Sequence, residues 1–173
     1  AAHFLEIDDG MTVLDACAAP GGKSTHLMEM ANIQLTVLDN DQQRLGRVSE
    51  NFKRLGIEPF RQICGDAALP SSWWDGKRFD RILADVPCSA SGVVGRHPDI
   101  KWLRRITDLP TFANMQQNIL DALWPLLKSE GKLLYVTCSV FFEENCQQVE
   151  NFLDKHPDAR LLPIVHSEVN DGQ

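Results

Sequence analysis

The sequence predicts an α/β fold, a mostly parallel sheet with helices on both faces. Three observations predict it. Short apolar runs alternate with amphipathic helical patterns along the chain, as strand–helix–strand units require. A glycine-bearing turn, "DACAAPGGKST" at 15–25, follows the first apolar run and opens a helix. Four runs end at or near an aspartate: Asp15, Asp39, Asp66 and Asp85. One such aspartate is an ordinary turn residue. Four at one edge of a sheet mark the edge beyond which open parallel sheets bind ligands.

The elements follow in order. "MTVLDA" (11–16) is a short buried strand, and a helix runs from Gly22 to Ala31. "LTVLD" (35–39) is the second strand. In "DQQRLGRVSENFKRLG" (41–56), Leu45, Val48, Phe52 and Leu55 recur at three- and four-residue spacing, the stripe of a helix. Gly56 is placed to end it. "FRQICGD" (60–66) and "FDRILADV" (79–86) are strands three and four. After a long loop, a helix is predicted from Thr107 to Leu127, with Phe112, Met115, Ile119, Leu123 and Leu126 as its apolar stripe. "GKLLYVTCS" (131–139) is strand five. A last helix, Glu143 to Lys155, is expected to bury Cys146, Val149, and Phe152 or Leu153. "ARLLPIV" (159–165) is a candidate sixth strand. There is no internal repeat.

A chain of 173 residues suits one domain with its own core, here 1–173 as a single unit. The net charge of −7 argues against a free-standing nucleic-acid binder. One segment runs against that average: "GRHPDIKWLRR" holds Arg96, Lys101, Arg104 and Arg105 against Asp99. No apolar stretch reaches the roughly 18–20 residues of a membrane span. The first residues lack the basic start and apolar core of a signal peptide. The five cysteines form no C-x-x-C pair, so no metal is expected, and reduced thiols in the cytoplasm fit better.

Three ligands compete for the first turn. A P-loop needs glycine where Cys17 stands, although Gly22, Lys23 and Ser24 fit its end. The adjacent Gly21 and Gly22 do not supply the spacing of a dinucleotide fingerprint. A nucleoside cofactor without pyrophosphate needs small residues for close approach, and Ala18, Ala19, Gly21 and Gly22 provide them. It also needs a carboxylate for the ribose. Asp39 lies 24 residues beyond Asp15, near the usual offset of about 20. Asp66 is then available to the adenine. That set suits S-adenosylmethionine, against the plainer reading of a helix-start turn.

The methyl acceptor is read from "DVPC", Asp85 to Cys88. Nitrogen methyltransferases commonly carry an aromatic after the proline; here a thiol stands in its place. A thiolate adding to carbon 6 of a pyrimidine turns carbon 5 into a nucleophile, so one hard step becomes easier ones. Free cysteines are more often small buried hydrophobes, the reading given to Cys17, Cys64 and Cys146. Cys88 and Cys138 each follow a strand expected to neighbour the other, so both thiols should face one cleft. A helix start near Glu143 is placed to favour a Cys138 thiolate. These residues alone leave the attacker open.

Together "DACAAPGGKSTHL", "VLDND", "GDA", "FDRILADVPCSASGVVGRHPDIKW" and "LYVTCSVFFEEN" resemble the NSUN (Nol/Nop/Sun) RNA cytosine-5 methyltransferases, and among them the bacterial members acting on small-subunit ribosomal RNA. The resemblance runs from Val13 to Phe152 and is carried by five separated motifs in family order. It implies a Rossmann-like S-adenosylmethionine-dependent methyltransferase fold. Cys17, Ala18, Ala19, Pro20, Gly21, Gly22 and Lys23 would line the methionine and ribose part of the cofactor. Asp39 would hold the ribose, and Asp66 would approach the adenine. Asp85 would sit between cofactor and cytosine. Cys138 would attack carbon 6 and Cys88 would help release the product, whereas DNA cytosine-5 methyltransferases attack with the P-C cysteine. Arg96, His97 and Lys101 would contact RNA. The family's N-terminal RNA-binding extension, the helical NusB-like domain of some bacterial members and a "DGFF"-like closing strand have no counterpart here. The expectation is therefore an excised catalytic core, a cytoplasmic monomer that binds cofactor and holds RNA weakly. A cofactor-fold RNA-binding scaffold without activity and a P-loop nucleotidase are the alternatives.

Overall fold

The computed structural model describes residues 2–57 and 61–164. Five strands form one sheet: β1 (Thr12–Asp15), β2 (Gln34–Asp39), β3 (Arg61–Cys64), β4 (Phe79–Asp85) and β5 (Leu127–Val136). Their order is β3-β2-β1-β4-β5, and every pair is parallel. The α-helices are α1 (Gly22–Met30), α2 (Gln42–Leu55), the single turn α3 (Ile100–Leu103), α4 (Leu109–Leu123) and α5 (Cys146–Lys155). The expected α/β architecture is what forms.

Alternation along the strands divides the core into two layers. On one face Val13, Leu35, Val37 and Leu83 meet Leu27 of α1 and Leu45, Val48 and Phe52 of α2. On the other, Leu14, Leu38, Ile82 and Ala84 meet Ile119, Leu120 and Leu123 of α4. β1, β2 and β4 are covered on both faces, so their sequences read as largely continuous apolar runs, whereas Gln62 and Cys64 of the edge strand β3 are exposed.

α2 begins where Asp41 accepts the N–H groups of Gln43 and Arg44, and ends at Gly56 with φ 68°. Leu55 does not join its stripe and is 39% exposed. At 100° per residue it lies about 80° round the helix from Leu45, at the stripe's border. α4 is shorter than Thr107–Leu127 because Pro125 cannot extend the α-helical ladder, and Trp124–Leu126 form a 3-10 turn instead. Its buried face also differs: Gln116 and Leu120 are buried, while Met115 is exposed. The buried amide is held by polar partners described below.

β5 starts at Leu127 and ends at Val136, so Thr137 to Ser139 lie past the strand rather than in it. In α5 only Gln148 is buried; Val149, Phe152 and Leu153 are half-buried and Cys146 is exposed. Cys146 lies about 160° round that helix from Gln148, which turns it to solvent. Cys64 is exposed as well, so of the three cysteines expected to be buried only Cys17 is even partly covered. Residues 159–164 form no strand, and Leu161, Leu162 and Ile164 are exposed. Pro163 has no N–H to donate to a ladder. Phe60 and Val165, the ends of two predicted strands, lie outside the described residues.

Gly21 joins the first turn to α1. Its φ is 98°, and a Cβ there would stand 3.1–3.2 Å from Val48 of α2. A Cβ at Gly22 meets nothing within 4 Å. Gly21→Ala is therefore expected to lower the unfolding free energy by about 1–3 kcal/mol, and Gly22→Ala to change it little. Urea unfolding of both variants checks this, and equal effects would contradict it.

Candidate active site

Strand order reverses between β1 and β4, which opens a crevice above their carboxyl ends. A cavity of about 430 Å³ lies at this edge. Cys17, Asp39, Asp66 and Pro87 line it from the sheet, and Asn114 and Met115 line it from α4. The exposure of Met115 is thus exposure to a cavity. Asp39, buried at the end of β2, accepts the Ala19 N–H (3.1 Å) through Oδ2 and the Asp41 N–H (3.1 Å) through Oδ1. The Arg44 guanidinium lies 3.6 Å from Asp39 and donates to the Ala19 carbonyl at 2.9 Å. The first turn is thereby fastened to the end of β2. Asp66 accepts the Ala68 N–H at 2.9 Å. Ala18 and Ala19 are buried and Pro20 is exposed; none of Ala18 to Gly22 lines the cavity.

Two more groups of the first turn face other partners. Lys23 reaches the end of β4 and donates to Asp85 at 2.5 Å. Asp15 is buried; its Oδ2 accepts the Ser24 hydroxyl at 2.6 Å and its Oδ1 has no partner. Burial pushes the Asp15 carboxyl up to about 7, with the Ser24 hydrogen bond acting the other way.

The two cysteines of interest meet. Asp85 pairs with Val136 at the end of the β4–β5 ladder. Cys88 and Cys138 follow those residues, and their sulfurs lie 3.3 Å apart. The Cys138 N–H also points at the Cys88 sulfur, at 3.4 Å. Cys88 is buried and Cys138 is exposed. A second link closes the loops: Gly92 donates its N–H to the Cys138 carbonyl at 2.9 Å. A Cβ at Gly92 would stand 2.9 Å from that oxygen, so only glycine allows the approach.

The expectation that a helix start favours the Cys138 thiolate is reversed. α5 begins only at Cys146. Desolvation, then the hydrogen bond and charge of Cys88, then Asp85, push the Cys138 thiol up to about 11.

Sequence reasoning missed the group beneath the cysteines. Glu144 is fully buried. Its Oε1 accepts the Ser89 N–H (2.8 Å) and the Gln116 amide (3.0 Å), and its Oε2 accepts the Ser139 hydroxyl (2.5 Å). Burial raises its carboxyl, but the hydrogen bonds of Ser139, Ser89 and Gln116 outweigh this and hold it below the usual range. The available signal was the repeated Cys-Ser, at 88–89 and 138–139, the second followed by a short apolar run and the acid pair Glu143 and Glu144.

The basic segment is exposed beside this site. The Arg104 guanidinium lies 5.0 Å from the Phe112 ring, and its Nε is 3.4 Å from the Ser89 carbonyl. Lys101 lies over Trp102, which is 80% exposed. Arg96 and His97 are also exposed. Among the described residues no cluster of His, Cys, Asp or Glu is arranged to hold a metal ion, and no helix is long and apolar enough to cross a membrane.

Comparison with known proteins agrees with this architecture. The family model for the 16S rRNA methyltransferase RsmB/F matches residues 2–173. Ribosomal RNA small subunit methyltransferase B of Vibrio vulnificus is 51% identical over 161 residues, which are 92% of this chain and 38% of that protein. The chain thus spans well under half the length of the curated relatives it matches. Among solved structures, PH0851 superposes with TM-score 0.91 at 34% identity, covering 96% of this chain and 38% of that one. NSun6 from Pyrococcus horikoshii, solved with SFG, gives TM-score 0.81 at 31% identity over 89% of this chain and 39% of that one.

The raised Cys138 thiol has a direct readout. Alkylation by iodoacetamide, mapped to Cys138 by peptide mass, is expected to accelerate up to about pH 11. A plateau near the roughly 8.5 of a free cysteine would contradict the burial argument.

Proposed function

The chain belongs to the RsmB/F family of 16S rRNA methyltransferases, and on that premise we propose that it is the catalytic domain of an S-adenosylmethionine-dependent RNA cytosine-5 methyltransferase acting on small-subunit ribosomal RNA. The observation that carries this reading is the pair of thiols 3.3 Å apart beside the cavity at the strand ends. A single cysteine has many uses. Two in contact, one exposed and one buried, suit a reaction that must both form and break a carbon–sulfur bond.

The exposed Cys138 is the attacker. Its thiolate adds to carbon 6 of the target cytosine, and the electron pair moves onto carbon 5. When bound, S-adenosylmethionine supplies the methyl group that carbon 5 accepts. A base then removes the carbon-5 proton, the double bond re-forms and Cys138 leaves as thiolate. Cys88, within hydrogen-bonding reach of Cys138, assists that departure. Because the Cys138 thiol is pushed up in the free protein, it must lose its proton as substrate arrives. Asp85, held by Lys23 at the end of β4, is the group between cofactor and base that hydrogen-bonds the cytosine.

The residues present fit the cofactor. The cavity volume of about 430 Å³ falls within the usual range of about 300–1,000 Å³ for ligand pockets. Asp39 keeps lone pairs for ribose hydroxyls beyond the two N–H groups it already accepts, and Asp66 lines the same cavity on the adenine side. Of the first turn only Cys17 lines the cavity, and Ala18 to Lys23 stand behind it, held by the Ala19–Asp39 and Lys23–Asp85 hydrogen bonds. SFG, found with the NSun6 relative, is an analogue of S-adenosylmethionine, which supports the assignment. The exposed Arg96, His97 and Lys101 offer the RNA backbone positive charge beside the thiols. A scaffold without activity has no need for the two-thiol geometry, and a nucleotidase would leave both cysteines without a role.

In the protein at its full length, Cys138→Ala is expected to lower methyl transfer to ribosomal RNA by at least about 1,000-fold. Cys88→Ala is expected to accumulate a covalent protein–RNA adduct, seen as a slow band on a denaturing gel. Methylation that survives Cys138→Ala would overturn the assignment of the attacker.

A further inference from the structure

Each cysteine of the pair is followed by a serine, and one buried carboxylate binds both serines. Glu144 takes the backbone N–H of Ser89 on one oxygen and the hydroxyl of Ser139 on the other. Gln116 extends the hold: its amide donates to Glu144 and also to the Pro87 carbonyl, the residue before Cys88. The Tyr135 hydroxyl lies 2.7 Å from the Glu144 carbonyl and 3.1 Å from the Gln116 amide oxygen. Both loops that carry the thiols are thus tied to one point under them. No cation pairs with Glu144 among the described residues, so its donors alone balance the buried charge.

We propose that Glu144 is a positioning residue of the two-thiol site: its carboxylate clamps Ser89 and Ser139 and so holds Cys88 and Cys138 in contact. This rests on the proposed reaction only in that it names the pair as the site; the clamp itself is geometry. A buried anion is costly unless every lone pair is directed, and here the direction is toward the residues that set the thiol separation. The arrangement needs polar atoms on both sides of residue 144. Leucine there accepts from neither Ser89 nor Ser139, so both ties open, whereas glutamine could keep both by accepting from the Ser89 N–H and donating to the Ser139 hydroxyl oxygen.

The clamp can be read without any methyl transfer. Diamide oxidises two thiols in contact, which lose two hydrogens to its N=N bond as a sulfur–sulfur bond forms. The probe is applied to the full-length protein, and the Cys88–Cys138 disulfide is mapped by peptide mass. Glu144→Leu and, independently, Ser139→Ala are expected to slow this capture at least about tenfold. Binding of S-adenosylhomocysteine should stay unchanged. In methyl-transfer assays kcat should fall about 10- to 100-fold while KM for RNA stays within about threefold. Glu143→Gln, an exposed neighbour outside the site, should capture at the rate of the unaltered protein. Capture at that same rate in Glu144→Leu or Ser139→Ala overturns the proposal. So does joint loss of capture and S-adenosylhomocysteine binding in both variants, which marks a purely structural residue. Slowed capture in a protein that never methylates RNA supports the clamp and refutes the proposed reaction.

Discussion

The pairing of Asp85 with Val136 at the end of the β4–β5 ladder sets the distance between everything that follows those two strands. Parallel neighbours release their chains at the same edge of the sheet. Residues 50 apart in sequence therefore arrive side by side, and the thiols of Cys88 and Cys138 close to 3.3 Å. A one-residue slip would turn every side chain of β5 to the other face. Leu133 and Tyr135 would then leave the layer of Ile82 and Ala84 that they pack against. The apolar core therefore enforces the register, and the register sets the spacing of the two thiols.

Around that constraint the edge of the sheet gathers negative charge. Asp15, Asp39 and Asp85 each end a strand, and each is handled differently. Asp39 is met by backbone N–H groups and Arg44, and Asp85 by Lys23. Asp15 is buried with an orphan oxygen and holds its proton to about 7. The first turn is fixed from two sides as a result. Asp39 and Arg44 tie it to β2 and α2, while Lys23 ties it to β4. Gly21 fits the narrow gap against Val48 that this fastening leaves.

Strands and the glycine turn were legible because their signals are local. Continuous apolar runs have few alternatives to a covered strand, and Gly56 ends α2 where its position requires. Errors fell where burial depends on a neighbour. Cys146 sits in an amphipathic pattern, yet α5 buries only Gln148, so the apolar side of that pattern is half-covered. Met115 reads as core because it is apolar and correctly spaced; in fact it faces a cavity. Gln116 reads as surface because it is polar, and its burial makes sense only beside Glu144. A polar residue's partners lie far away in sequence, so periodicity cannot reveal them.

By itself the sequence determined the strand–helix order, the sheet edge that carries the candidate site and the family, because each depends on short stretches of fixed residue types. It also named both thiols. Tertiary structure alone decided which thiol is exposed, which way the Cys138 thiol is shifted and which carboxylate lies beneath the pair. Those properties are set by desolvation and by hydrogen bonds between segments 28 to 55 residues apart, and such contacts exist only once the sheet has closed its register.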